Sequence, residues 1–354
     1  MSLQHQRERA AHAAGALLRG AVVVVAILFT LTSAAFAGES SASIKVDRVN
    51  FPVTLSDGKT YRVAGYLYYQ GSYRNRTLLL ALHGANYNHK YWDVPEINGH
   101  DYSFARYMAA QKYAVLAIDQ LGAGESDDPD GDLLTLGETA GAIHQIIGQL
   151  RAGAGDLRHS FARVLLVGHS LGSINAVYEQ ATYADADAVI TTGMGHVSHT
   201  LPIPEDVINK MLESKYFPFP DALRAELFYH APGADADVIA YDRDNLADLL
   251  SRGQLLTGVF AAFDPTANRV GAVTGTVLVQ LGEHDALFPA SLAEGEAAFY
   301  SSASSVTVQA IPGVGHNVNT HYGNRTSWRL MDEWIRASGL HEPGRGAQTN
   351  QRRD

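Results

Sequence analysis

The chain of 354 residues is 46% hydrophobic and 18% charged, which describes a core-forming globular protein rather than a disordered one. Its formal net charge of −10 implies an acidic surface and excludes a nucleic-acid backbone as partner. Cysteine is absent, so disulfides, thiolate nucleophiles and Cys-based zinc sites are excluded too.

At the N-terminus Arg7, Arg9 and Arg19 precede an apolar run over 21–31. Ala35-Phe36-Ala37 then offers a small-X-small cleavage signal, followed by polar Gly38-Glu39-Ser40-Ser41. This order predicts a secretory signal peptide over 1–37, cut after Ala37, and hence an exported protein. The competing reading is an uncleaved anchor, for which the apolar core is short. No later stretch is long and apolar enough to span a bilayer, so no stable membrane span is expected after cleavage.

Residues 44–55 and 61–69 flank Ser56-Asp57-Gly58-Lys59, a turn sequence, and predict an antiparallel hairpin. The apolar runs 78–82 and 114–118 predict strands buried on both faces. Between them, 101–112 has helical spacing of Phe104, Tyr107 and Met108. A long helix is expected over 133–150, then a strand ending near Val167. Further strands are expected at 186–191, 276–281 and 305–311, with helices at 290–300 and 321–336. Strand alternating with helix predicts an α/β fold whose mostly parallel sheet is flanked by helices.

The stretch 194–268 breaks this rhythm, with no clear strand and half of the chain's 12 prolines. It reads as a helical cap inserted between a core of 38–193 and its continuation over 269–338. A separate second domain is the alternative, but the strand pattern resumes afterwards. The Gly-, Arg- and Gln-rich tail, 339–354, reads as disordered.

The central strand runs into Gly168-His169-Ser170-Leu171-Gly172 and then a helix. A serine at such a strand-to-helix turn sits in a cramped backbone with its hydroxyl exposed, which makes Ser170 the candidate nucleophile. A hydroxyl needs a base, and the base needs a carboxylate to orient it. In open parallel sheets sites collect beyond the C-terminal ends of the strands. Past the last strand, Pro312-Gly313-Val314-Gly315 presents His316; past the preceding one, Gly282-Glu283-His284 presents Asp285. Glu283 is a less suitable acid, and Asp264, before Pro265, is a reserve. His196 and His199 form His-X-X-His without a carboxylate at helical spacing, so they read as cap or pocket residues, not zinc ligands. No metal and no cofactor are expected. Backbone amides of Ala85 and Leu171 are the candidate donors to a developing oxyanion.

These motifs resemble the α/β-hydrolase superfamily, over nearly all of 46–337. The resemblance rests on His83-Gly84, the stretch Asp119-Gln120-Leu121-Gly122-Ala123-Gly124-Glu125-Ser126-Asp127, Gly168-X-Ser170-X-Gly172, Asp285 and Gly315-His316. It implies an α/β-hydrolase fold with Ser170 as nucleophile, His316 as base, Asp285 as orienting acid, and a structural loop at Asp119. A serine nucleophile disfavours epoxide hydrolases and dehalogenases, and His-Gly-Ala-Asn in place of His-Gly-Gly-Gly makes bulky tertiary esters less expected.

The aromatic character of the insertion predicts an apolar pocket for an uncharged small molecule, with Asn86, Tyr87, Met194, Phe217, Phe219 and Phe288 as candidate lining. The expected reaction is hydrolysis of a carboxylic ester or lactone through an acyl-serine. The same triad serves amide or C–C cleavage and perhydrolysis, and non-catalytic binding proteins share the fold.

Overall fold

Continuous apolar runs become the middle of an eight-stranded sheet. The computed structural model describes residues 43–341. The expected signal peptide and the tail from 342 lie outside the described residues. The strands are β1 (Ile44–Thr54), β2 (Thr60–Gln70), β3 (Leu78–Leu82), β4 (Ala114–Ile118), β5 (Val164–His169), β6 (Ala188–Thr192), β7 (Thr276–Gly282) and β8 (Ser305–Ile311). They lie in the order β1-β2-β4-β3-β5-β6-β7-β8. β1 and β2 are antiparallel, β2 runs antiparallel to β4, and the remaining pairs are parallel.

Every residue of β3, β4, β5 and β6 is buried, as strands covered on both faces must be. Helix α1 (Phe104–Ala110) packs against α4 (Asn324–Ala337), where the Tyr107 and Trp328 rings lie 5.3 Å apart. Helix α2 (Leu136–Ala152) packs against α3 (Leu171–Tyr183). α2 starts where Thr135 accepts a hydrogen bond from the Glu138 amide, and stops at Gly153 with φ 67°. Register aligns the strand ends: Leu82 pairs with both Ile118 and Gly168, and His169 with Thr192. The loops that carry chemistry therefore leave the sheet side by side.

Three expectations change. The stretch expected to lack strands holds two short ones, Tyr216–Pro218 and Leu249–Ser251, paired antiparallel among helices such as Glu205–Leu212 and Asp221–Phe228. Three-residue strands are too short to display a period. A second small hairpin, Val94–Ile97 with His100–Tyr102, turns at Asn98 and Gly99, both at positive φ. The helix expected at 290–300 is broken into one α-turn, Ala293–Glu296, between two 3₁₀ turns. Gly295 lowers its helical propensity by about 1 kcal/mol, and buried Glu296 accepts from the His196 amide at 2.6 Å. Among the described residues no helix is long and apolar enough to cross a membrane.

Candidate active site

The turn from β5 into α3 explains why its glycines are required. A Cβ on Gly172 would lie 2.1 Å from the Leu82 carbonyl oxygen, and one on Gly168 would lie 2.4 Å from Ser173 Cα. With strand and helix this close, the residue between them is forced to φ 50°, ψ −119°, and that residue is Ser170. Non-glycine residues held in such regions cost roughly 1–3 kcal/mol and persist only where surrounding structure imposes them. Here the Ser170 amide donates to Thr192 O at 2.9 Å and Ser173 Oγ to the same oxygen at 3.1 Å. Leu171 opens α3, so its amide has no acceptor within the helix and faces the positive end of the dipole.

His316 and Asp285 come together from the loops after β8 and β7. The His316 Nδ1 lies 3.0 and 3.1 Å from the two Asp285 oxygens, with both residues buried. A carboxylate accepts, so Nδ1 carries the proton and Nε2 is left as a base. Asp285 is itself fixed by the amides of Leu287 and Phe288, each 2.8 Å from Oδ1. The alternatives are elsewhere: Glu283 is exposed and accepts from the Gly313 amide at 2.9 Å, and Asp264 caps its own turn at Thr266 and Ala267. Among the described residues no hydrogen bond engages the Ser170 hydroxyl. Such contacts commonly tighten only when substrate binds.

Ser170 and His316 line one cavity of about 60 Å³, together with Ala85 and Leu171. Asn86, Tyr87, Phe219 and Phe288 are among its lining residues. Met194 and Phe217 do not: both are buried in the core. Phe217 sits in the short cap strand opposite Leu250, and Leu250 reaches the wall. The sequence reading missed Leu201, Ile203, Met211, Leu255 and Val259, aliphatic residues that a search for aromatics passes over. His196 binds Glu296 (Nδ1 to Oε1 2.6 Å), while the His199 ring packs edge-on to Phe288, behind the cavity wall.

The Asp119 loop is structural. Burial raises the Asp119 carboxyl, but the bond from His89 Nδ1 (2.7 Å) and the amides of His89 and Glu125 outweigh it and hold it below the usual range. Behind Ser170, burial pushes the His169 imidazole well down, with His316 nearby reinforcing the shift. His169 therefore stays neutral between Thr192 Oγ1 (3.2 Å) and Asn317 Oδ1 (3.3 Å), its ring stacked on Tyr91 at 4.4 Å.

A polar knot joins the cap to these loops. Asp242 pairs with Arg224, and its Oδ2 accepts from the Tyr87 and Tyr229 hydroxyls at 2.8 Å each. Asn317 donates to the Tyr87 hydroxyl, and Arg224 donates to Asn86 O at 3.2 Å. Its members come from three separate stretches of the chain, 86–87, 224–242 and 317, so no spacing announced it.

His321 is expected to make the fold acid-sensitive. Burial pushes its imidazole down to about 4, against the opposing pull of the bond from Nδ1 to Asn317 O (2.8 Å), while Nε2 accepts from the His230 amide (3.0 Å). His230 and His316 nearby disfavour its charge, and Asp285 partly offsets them. An unfolded histidine titrates near 6.5, so the unfolded chain binds the extra proton between these values. Its contribution is full above pH 6.5 and is lost as pH falls to about 4, amounting to roughly 3 kcal/mol. Melting temperatures between pH 7 and 4 should fall less steeply in His321→Gln than in the wild type; parallel curves would refute the assignment.

Fold and site together place Ser170 on a strand-to-helix turn at the C-terminal edge of a mostly parallel sheet. A family model described as "Alpha/beta hydrolase family" matches residues 78–325. The chain belongs to the alpha/beta hydrolase family. Solved structures agree on the fold. A thermophilic esterase from Thermogutta terrifontis is 20% identical, with TM-score 0.56, covering 82% of this chain and 99% of its own. A monoacylglycerol lipase from Paleococcus ferrophilus is 17% identical, with TM-score 0.55, covering 83% and 99%. A hydrolase from Pseudomonas aeruginosa PA01 is 18% identical, with TM-score 0.58, covering 80% and 98%.

Proposed function

We propose that this chain is an exported serine hydrolase that cleaves small, uncharged carboxylic esters through an acyl-Ser170 intermediate. The observation that carries the reading is the convergence on one apolar cavity of Ser170, in its forced backbone, and His316, oriented by Asp285. His316 Nε2 takes the Ser170 proton as Oγ attacks the ester carbonyl, and the amides of Ala85 and Leu171 receive the oxyanion. The tetrahedral centre collapses, His316 protonates the departing alcohol, and water then repeats the cycle to release the acid. Asp285 keeps the imidazole in the right tautomer throughout. The esterase and lipase among the similar structures fit this chemistry. Export rests on the N-terminal order of arginines, apolar core and Ala35-Phe36-Ala37.

Cavity size sets the acyl group. At about 60 Å³ it is well under the ~150 Å³ of an engineered cavity that holds benzene. Forcing extra methylenes into a packed site costs roughly 1–3 kcal/mol, about 5- to 150-fold in rate. Among p-nitrophenyl esters, acetate and butyrate should exceed octanoate in kcat/KM by at least about fivefold. The test combines that panel with fluorophosphonate labelling located by mass spectrometry. Labelling confined to Ser170 with short-chain turnover supports the reading. Folded protein that neither labels nor turns over any ester would overturn it.

A further inference from the structure

Away from the cavity, α2, α3 and the loop after α3 bring His144, Glu179 and Asp185 together. One ligand atom of each lies within 4.8 Å of the others. Glu179 is on α3 nine residues after Ser170, about 13 Å along the helix, so the cluster is separate from the reacting atoms. The Glu179 side chain has no solvent exposure, and among the described residues no amide, hydroxyl, ammonium or guanidinium donates to its oxygens; its polar neighbour is the Asp185 carboxyl. Asp185 Oδ1 is likewise buried without such a donor, while Oδ2 lies 2.6 Å from His144 Nδ1. No arginine or lysine pairs with either carboxylate among the described residues. The neighbouring Arg151 instead donates to the Asp185 carbonyl (2.9 Å) and the Asp187 carboxylate (2.7 Å).

We infer that His144, Glu179 and Asp185 form a binding site for a divalent transition-metal ion, with zinc the best fit. Two carboxylates and one imidazole are too nitrogen-rich for the all-oxygen shells of calcium or magnesium, and they match zinc chemistry with a fourth position open to water. Access is available, since His144 and Asp185 are partly exposed at 43% and 25% of their side chains while Glu179 closes the floor. The His144 ring is stacked on Tyr183 at 4.1 Å, which limits its rotation. A cation also answers the cost of placing the buried Glu179 carboxyl beside that of Asp185. The bound ion ties the end of α3 and its loop to α2, a structural strap on the helix that begins at Ser170.

The test is calorimetric titration of zinc chloride into EDTA-dialysed protein, with melting temperature followed in parallel. The expected result is one equivalent bound at micromolar affinity or tighter, with a raised melting temperature. His144→Ala and Glu179→Gln should each weaken binding at least about tenfold and abolish the shift. His144 is half-exposed, so its variant folds even where the buried substitution does not. Failure of the wild type to bind one equivalent overturns the site and leaves a proton shared between Glu179 and Asp185. Binding that survives in His144→Ala overturns it too, placing the ion on other histidines.

Discussion

In Ser170→Ala, ester hydrolysis is expected to fall by roughly 10⁴–10⁶-fold while the protein stays folded. Under the proposed mechanism the loss is large because a triad acts as a unit: without Oγ, His316 would have no proton to take and no acyl-enzyme would form. What survives is attack by water assisted by the oxyanion amides. Folding is spared because no hydrogen bond among the described residues depends on the hydroxyl, and the backbone at this point is held by the Ser170 amide on Thr192 O. The strain at φ 50° offers a second readout. Glycine adopts that backbone at little cost, so Ser170→Gly should be as inactive as the alanine variant yet melt higher, by about 1 kcal/mol. Rates with p-nitrophenyl butyrate and melting curves for both variants check this. An alanine variant that keeps a tenth of wild-type activity would remove Ser170 from the mechanism.

The parts of this molecule legible in its sequence are those where local pattern and global role agree. Runs such as Leu78–Leu82 and Ala114–Ile118 have no polar residue to suggest an exposed face, and they are strands with those bounds. The meeting of Asp285 and His316 was legible because a parallel sheet gathers the loops after its strands at one edge, so residues just past neighbouring strand ends are close in space. The hairpin at Asn98-Gly99 carried a signal, since that dipeptide suits two successive positive φ values, but its flanking strands are only four and three residues long. Other features had none. The paired cap strands include Pro218, which argues locally against a strand. Met194 and Phe217 looked like pocket residues because they belong to the apolar, aromatic insertion, and the core claims both. His144 and Glu179 lie on different helices, and only the packing of α2 on α3 makes them neighbours.

The second large effect is expected from the cap, at Asp242. Its carboxylate is nearly inaccessible, as is the Arg224 guanidinium it pairs with, at side-chain exposures of 2% and 3%. Burying such a pair costs several kcal/mol per ion, which the contact itself must offset. In Asp242→Ala the guanidinium is stranded over the rings of Tyr87 (4.5 Å) and Phe228 (5.3 Å), and the Tyr87 and Tyr229 hydroxyls lose their acceptor. Removing one partner of a buried pair destabilises by about 3–5 kcal/mol, so the melting temperature should drop by roughly 10 °C. Activity should fall well below that temperature as well. Tyr87 follows Ala85 and Asn86 on the loop that offers an oxyanion amide, and Asn317, next to His316, donates to its hydroxyl. Loosening Tyr87 therefore disturbs two groups that must be placed within about 0.5 Å of productive geometry. The double variant Arg224→Met/Asp242→Leu separates the two effects. Replacing both ions by apolar residues of similar volume is often neutral or stabilising, so melting should recover. Turnover should not, because Tyr87 still lacks its acceptor. Recovery of both together would reduce the knot to a stability device, and recovery of neither would mean that the cap packs by contacts other than this pair.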